Sequence, residues 1–245
     1  MASAKTPGLP LPARAVIVSR LREAIAASRM REAIARLAVH APGNGSGRHA
    51  GRTPVMSCLV RPFDGCPAEW YAHGVPVVTA AVRRPGPRET ASQVKGNDYL
   101  NALTGLLSGP AIAEAAASAA AAPGKRAPGL DPLFLTEAGT VSETSVANLL
   151  ILKDGAIWTP PASCGILLGV TRLMVLEAAR ELGLNVLEAP FTRHDIYNAD
   201  EVFLTNAAVE VLPAVEVDRR RIGAGAPGPW APRLRAAYLD LARGR

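Results

Sequence analysis

The sequence predicts a mixed α/β fold in two parts, a small domain over residues 1–68 and a larger one over 73–245, on three observations. Apolar runs of strand length and stretches of helical spacing interleave along the chain. Asp154-Gly155 separates Leu149-Leu150-Ile151-Leu152 from Ala156-Ile157-Trp158, and this is the dipeptide that a two-residue hairpin prefers, because both central positions need positive φ. Gly65 to Pro76 is rich in turn residues and marks the junction between the parts.

Residues 1–12 hold three prolines and read as an irregular lead. From Ala13 to about Val39, the spacing of Ile17, Leu21, Ile25, Met30, Ile34 and Leu37 predicts a helix. REAIA occurs twice there, at 22–26 and 31–35, a repeat too closely spaced for a solenoid and read as helix-friendly low complexity. Gly43 to Gly51 is a basic, glycine-rich loop, and Pro54 to Val60 returns as a strand. Val77 to Val82 is a strand, after which RRPGPRETASQ delivers the chain to Lys95.

Asn97 to Leu107 predicts a helix, continued after Pro110 by the alanine-rich AIAEAAASAAAA and broken by PGKRAPG. Leu133 to Arg172 then reads as a strand, a turn carrying Glu143, the Asp154-Gly155 hairpin, and a helix opened by Gly169-Val170-Thr171-Arg172. That helix runs to Leu182 and Gly183 caps it. A strand over Asn185–Phe191, a short helix over Thr192–Asn198, a strand over Glu201–Asn206 and a closing hairpin from Val209 through DRRRIG follow. Leu234, Ala237, Tyr238 and Leu241 mark a last amphipathic helix.

At 245 residues, 49% hydrophobic and 20% charged, the chain is globular with ample interior. A net charge of +6 would suit an anionic partner, but the arginines are scattered and aromatics make up only 4%, so little can stack on bases. A soluble enzyme for anionic small molecules fits better than a nucleic-acid binder. Cys58, Cys66 and Cys164 have no metal-binding spacing and read as reduced thiols of a cytoplasmic protein. No run approaches a transmembrane span, although the first twenty-two residues lack acids, as a transit peptide does. A glycine-opened helix start at Gly169 offers free N–H groups and a positive dipole end, which suit a phosphate.

On these motifs the chain resembles the class IV, pyridoxal-phosphate-dependent aminotransferases, which include branched-chain and D-amino-acid aminotransferases and aminodeoxychorismate lyase. The resemblance runs from LFLTEAGTVSETSVANLLILKDGAIWTPPASCGILLGVTR through ELGLNVLEAPFTRHDIYNADEVFLTNAAVEVLPAVEVD, and VKGNDYLNALTG resembles the family's lysine segment. It implies a reduced N-terminal α+β domain followed by a β-barrel-like domain bearing helices, pyridoxal 5′-phosphate as cofactor, no metal, and a homodimer.

The resemblance implies Lys95 as the amine that holds the cofactor and moves the substrate proton, with Lys125 and Lys153 as rivals. Glu143, in Gly139-Thr140-Val141-Ser142-Glu143, is implied to face the pyridine nitrogen. Gly169, Val170 and Thr171 are implied to receive the phosphate, with a second contact from Thr205, Asn206 and Ala207. Tyr99 is implied to meet the cofactor's phenolic oxygen or to line the substrate pocket. Arg20 is only a faint echo of the family's phosphate arginine, and His194 reads as solvated. The expected activity is transamination between an amino acid and a 2-oxo acid, supported by Tyr99-Leu100 and Glu210. The alternatives are aminodeoxychorismate lyase, supported by Asn206-Ala207, and a catalytically silent homologue.

Overall fold

A computed structural model describes residues 11–40, 54–86, 93–96, 99–107 and 132–244. The chain divides into two compact units, Met1–Gly65 and Cys66–Arg245. The alanine-rich stretch after Pro110, Lys125 and the glycine-rich loop after Gly43 lie outside the described residues.

The first unit holds one helix, α1 (Arg14–Ser28), and two strands, β1 (Ala33–His40) and β2 (Val55–Pro62). The helix expected through Val39 therefore ends eleven residues early. Arg29 turns left-handed at φ 53° and closes α1, and the next residues pair antiparallel with β2 from Ala33↔Pro62 to His40↔Val55. An eight-residue ladder outweighs the modest helix preference of AIARLAVH.

The second unit contains α2 (Ala68–His73), β3 (Val75–Thr79), α3 (Leu100–Leu107), β4 (Pro132–Leu135), β5 (Val141–Thr144), β6 (Asn148–Lys153) and β7 (Ala156–Thr159). A 3₁₀ turn over Ala162–Cys164 leads to α4 (Val170–Glu181), β8 (Asn185–Glu188), α5 (Arg193–Tyr197), β9 (Glu201–Asn206), β10 (Glu210–Val217), β11 (Arg220–Arg221) and α6 (Trp230–Arg243). The strands form one sheet in the order β5-β4-β3-β10-β9-β6-β7-β8, with β11 beside β10. β3 runs parallel to β4 and β10, and β7 runs parallel to β8; the other pairs are antiparallel. The sheet curls until its two ends approach, and the Val141 N–H donates to Phe191 O at 2.8 Å.

Both faces of the sheet are buried at β6 and β9, which is why β6 reads as an unbroken apolar run. Leu149 and Ile151 face a core shared with Val75, Leu133, Val202 and Leu212, whereas Leu150 and Leu152 face α4 and α6 beside Val175, Phe203 and Leu234. The period-two alternation of a strand distributes the four residues this way. Asp154 (φ 51°) and Gly155 (φ 73°) make the expected hairpin turn. Gly183 (φ 83°) closes α4, with the Leu184 N–H bonded to Ala179 O at 2.9 Å.

Arg172, fully buried on α4, fastens that helix to the sheet. It donates to Thr159 Oγ1 and Pro160 O at 3.1 Å each and to Glu188 Oε2 at 2.7 Å. A Thr192–Asp195 capping box starts α5, and Glu201 caps α6 by accepting the Trp230 and Ala231 N–H groups. No helix among the described residues is long and apolar enough to cross a membrane.

Candidate active site

The acid at the centre of this site lies on a strand. The turn expected to carry Glu143 is β5, and the side chain is buried with only 6% of the residue exposed. Among the described residues, three donors converge on it: Arg84 Nη2 reaches Oε1 at 2.5 Å, Asn148 Nδ2 reaches Oε2 at 2.7 Å, and the Leu167 N–H reaches Oε2 at 3.0 Å. Donors alone around a carboxyl group favour its ionised, acceptor-only form. Burial works against them and pushes Glu143 up to about 7, opposed by Arg84, the Leu167 amide, Lys95 and Arg172.

Asn148 also ties the acid to the start of α4. Its Nδ2 donates to Leu167 O at 2.8 Å as well as to Glu143, and the Gly169 N–H returns to Leu167 O at 2.9 Å. Asn148 Oδ1 presses so closely on Gly169 that a Cβ there would overlap it. The position therefore requires glycine for space, its φ of −66° being open to any residue. No side chain caps α4, so the N–H groups of its first turn, including Val170 and Thr171, point outward unsatisfied by the helix. Thr171 is buried and Val170 is exposed.

Thr205 stands directly across from Asn148 in the β6–β9 register, hence on the same face of the sheet. Its residue is 1% exposed and its hydroxyl has no hydrogen-bond partner, a polar atom buried at a cost. Asn206 shapes the turn that follows: Oδ1 accepts the Ala208 and Val209 N–H groups at 2.7 and 2.8 Å, and Nδ2 donates to Val146 O at 3.2 Å. Ala207 is exposed on that turn.

Lys95 is exposed, and its charge is felt at Glu143, where it lowers the acid's proton affinity. Tyr99 is exposed to 45% just before α3. Asn101 Nδ2 binds Arg83 O at 3.1 Å, and Gly105 lets α3 lie against Phe134, so α3 is anchored beside β4. The rival Lys153 is engaged with Asp195 at 2.8 Å. His194 is exposed, and Arg20 sits in an exposed pair with Glu23 at 3.0 Å.

Arg84 and Asn148 were not singled out by sequence reasoning. Asn148 carries a local signal, an amide five residues after the acid at the foot of a strand. Arg84 carries none, because it lies 59 residues before Glu143.

The family model for amino-transferase class IV matches residues 1–217. The branched-chain-amino-acid aminotransferase of Pseudomonas aeruginosa is 44% identical over 115 residues, 47% of this chain and 37% of that protein. That of Escherichia coli K12 is 31% identical over 178 residues, 72% of this chain and 53% of that protein. The chain thus spans about half the length, or less, of these curated relatives. Among solved structures, an Escherichia coli branched-chain amino acid aminotransferase superposes with a TM-score of 0.83 at 28% identity, covering 98% of this chain and 76% of that one. A T.th. branched-chain amino acid aminotransferase with pyridoxamine 5′-phosphate gives 0.82 at 29% identity, covering 100% and 76%.

Proposed function

Because the chain belongs to the class IV amino-transferases, we propose that it is a pyridoxal-phosphate-dependent aminotransferase, moving an amino group between an amino acid and a 2-oxo acid. The observation that carries this reading is the connection of a buried, donor-ringed Glu143 through Asn148 and Leu167 to the uncapped start of α4. The residues fit a phosphorylated pyridine: an acid for the ring nitrogen, free N–H groups for the phosphate, and at Thr205 a buried hydroxyl lacking a partner. Bound there, pyridoxal 5′-phosphate supplies an aldehyde for amine exchange and a ring that accepts the electrons released at the substrate Cα.

Each residue then has one task. Glu143 keeps the ring nitrogen protonated. The Val170 and Thr171 N–H groups after Gly169, together with Thr205 and the Asn206-Ala207 turn, receive the phosphate. Lys95 would hold the cofactor's aldehyde end and would move the substrate's Cα proton as general base, a task that requires the neutral amine. Tyr99 borders the substrate side. A branched aliphatic amino acid is the first donor to test, since the relatives above are branched-chain enzymes. The working form is a homodimer, which gives twice the chain mass in light scattering.

One feature favours a second reading. Ala207 brings no hydroxyl to the second phosphate turn, as in the aminodeoxychorismate lyase branch, where the same lysine would serve elimination of pyruvate. Titration with pyridoxal phosphate should produce a visible absorbance band in the wild type and none in Lys95→Ala. Leucine with 2-oxoglutarate, D-alanine with an oxo acid, and aminodeoxychorismate then separate the activities. A wild-type chain that develops no band refutes the proposal and leaves a silent homologue.

A further inference from the structure

Of the three donors that reach Glu143 among the described residues, Arg84 is the charged one, and it is held from three segments. Its backbone N–H donates to Leu135 O at 2.9 Å, its Nε to Gly165 O at 3.3 Å, and its Nη2 to Glu143 Oε1. The guanidinium also lies 5.9 Å from the Phe134 ring centroid, and the side chain is 15% exposed. A planar fork locked this way has little freedom to seek another partner. Ion pairs at this depth add little net folding stability, because desolvation offsets their attraction, so stability alone does not account for it.

The acceptor count on Glu143 shows what the pair does. Oε2 receives two N–H groups, from Asn148 and Leu167, whereas Oε1 receives one, from Arg84. A carboxylate oxygen has two lone pairs, so among the described residues the acceptor position left over is on Oε1, the oxygen that Arg84 touches. We propose that Arg84 is a positioning residue for the ring-nitrogen end of the cofactor site, fixing Oε1 and keeping the proton shared by Glu143 and the ring on the ring nitrogen. The inference rests on the pyridoxal-phosphate reading of this site.

The physical reason is distance. A cation in direct contact with Oε1 lowers the carboxylate's proton affinity more than that of any base beyond the carboxylate. Lys95 and Arg172 also face Glu143 electrostatically, each with a smaller effect than Arg84. Without Arg84, burial drives the shared proton onto Glu143, and a neutral pyridine is a poorer electron acceptor.

The test uses pyridoxal phosphate labelled with ¹⁵N in the ring, bound to the wild type, Arg84→Lys and Arg84→Gln. The wild-type signal should lie at the pyridinium position, Arg84→Gln should move towards neutral pyridine, and Arg84→Lys should fall between. Turnover should fall in the same order, by about 10- to 100-fold in Arg84→Gln, as for other residues that orient active-site groups. A purely structural arginine would change stability or loading and leave the ¹⁵N position unmoved, and that result in folded, loaded Arg84→Gln overturns the proposal. If Arg84→Gln does not fold, Arg84→Lys decides: a displaced signal supports the proposal and an unmoved one overturns it. A wild type that binds no cofactor removes the functional reading and this inference together, whereas a loaded enzyme with an unmoved variant signal removes only the role of Arg84.

Discussion

Replacing Glu143 by glutamine in the cofactor-free chain should abolish a pH dependence of stability that this one side chain imposes. Burial raises its pKa from an ordinary 4.5 to about 7. The folded chain therefore binds a proton more tightly than the unfolded chain, and stability is greatest below about pH 4.5 and declines as pH rises through 7. At about 1.4 kcal/mol per tenfold change in proton affinity, that interval amounts to about 3 kcal/mol. Glu143→Gln keeps the shape but has no proton to lose, and its altered pairing with Arg84 adds an offset that does not vary with pH in this window.

Urea unfolding of both proteins at a series of pH values isolates the contribution. The difference in unfolding free energy, wild type minus variant, should fall by about 3 kcal/mol between about pH 4.5 and 7 and level off above. Asp195, held down to about 2 by Lys153, titrates below this window and is common to both proteins. A difference that stays constant across the window would falsify the claim that burial dominates the environment of Glu143.

Two further substitutions probe the other end of the site. Thr205→Val removes a buried hydroxyl without a partner, so the cofactor-free chain should gain about 1 kcal/mol in urea unfolding, while affinity for pyridoxal phosphate drops about 10-fold or more through the lost bond to a charged group. Unchanged affinity would remove Thr205 from the phosphate site. Gly169→Ala should displace Asn148 and cost about 2 kcal/mol, and in combination with Asn148→Ala it should add almost nothing to the cost of Asn148→Ala alone. Additive costs in that double-mutant cycle would show that the contact between the two residues is not what requires glycine.

Some of this protein was legible because its signals are local. Asp154-Gly155 sets its own hairpin through two positive φ values, Gly183 ends α4 the same way, and a glycine before a helical pattern announces an open N-terminus. Glu143 is singled out by the short motif around it, whereas its setting on a strand is not legible there. Pattern reading failed where partners are distant: REAIA is helix at 22–26, yet at 31–35 it forms a bend and the start of β1, because β2 offers residues 33–35 a ladder. The sequence by itself determined these turns, caps and alternating faces, since each depends on forces acting within a few residues. Only the tertiary structure decided that Arg84 meets Glu143 across 59 residues, that Asn148 joins the acid to α4, and that burial sets the acid's proton affinity, since charge and desolvation act through space and not along the chain.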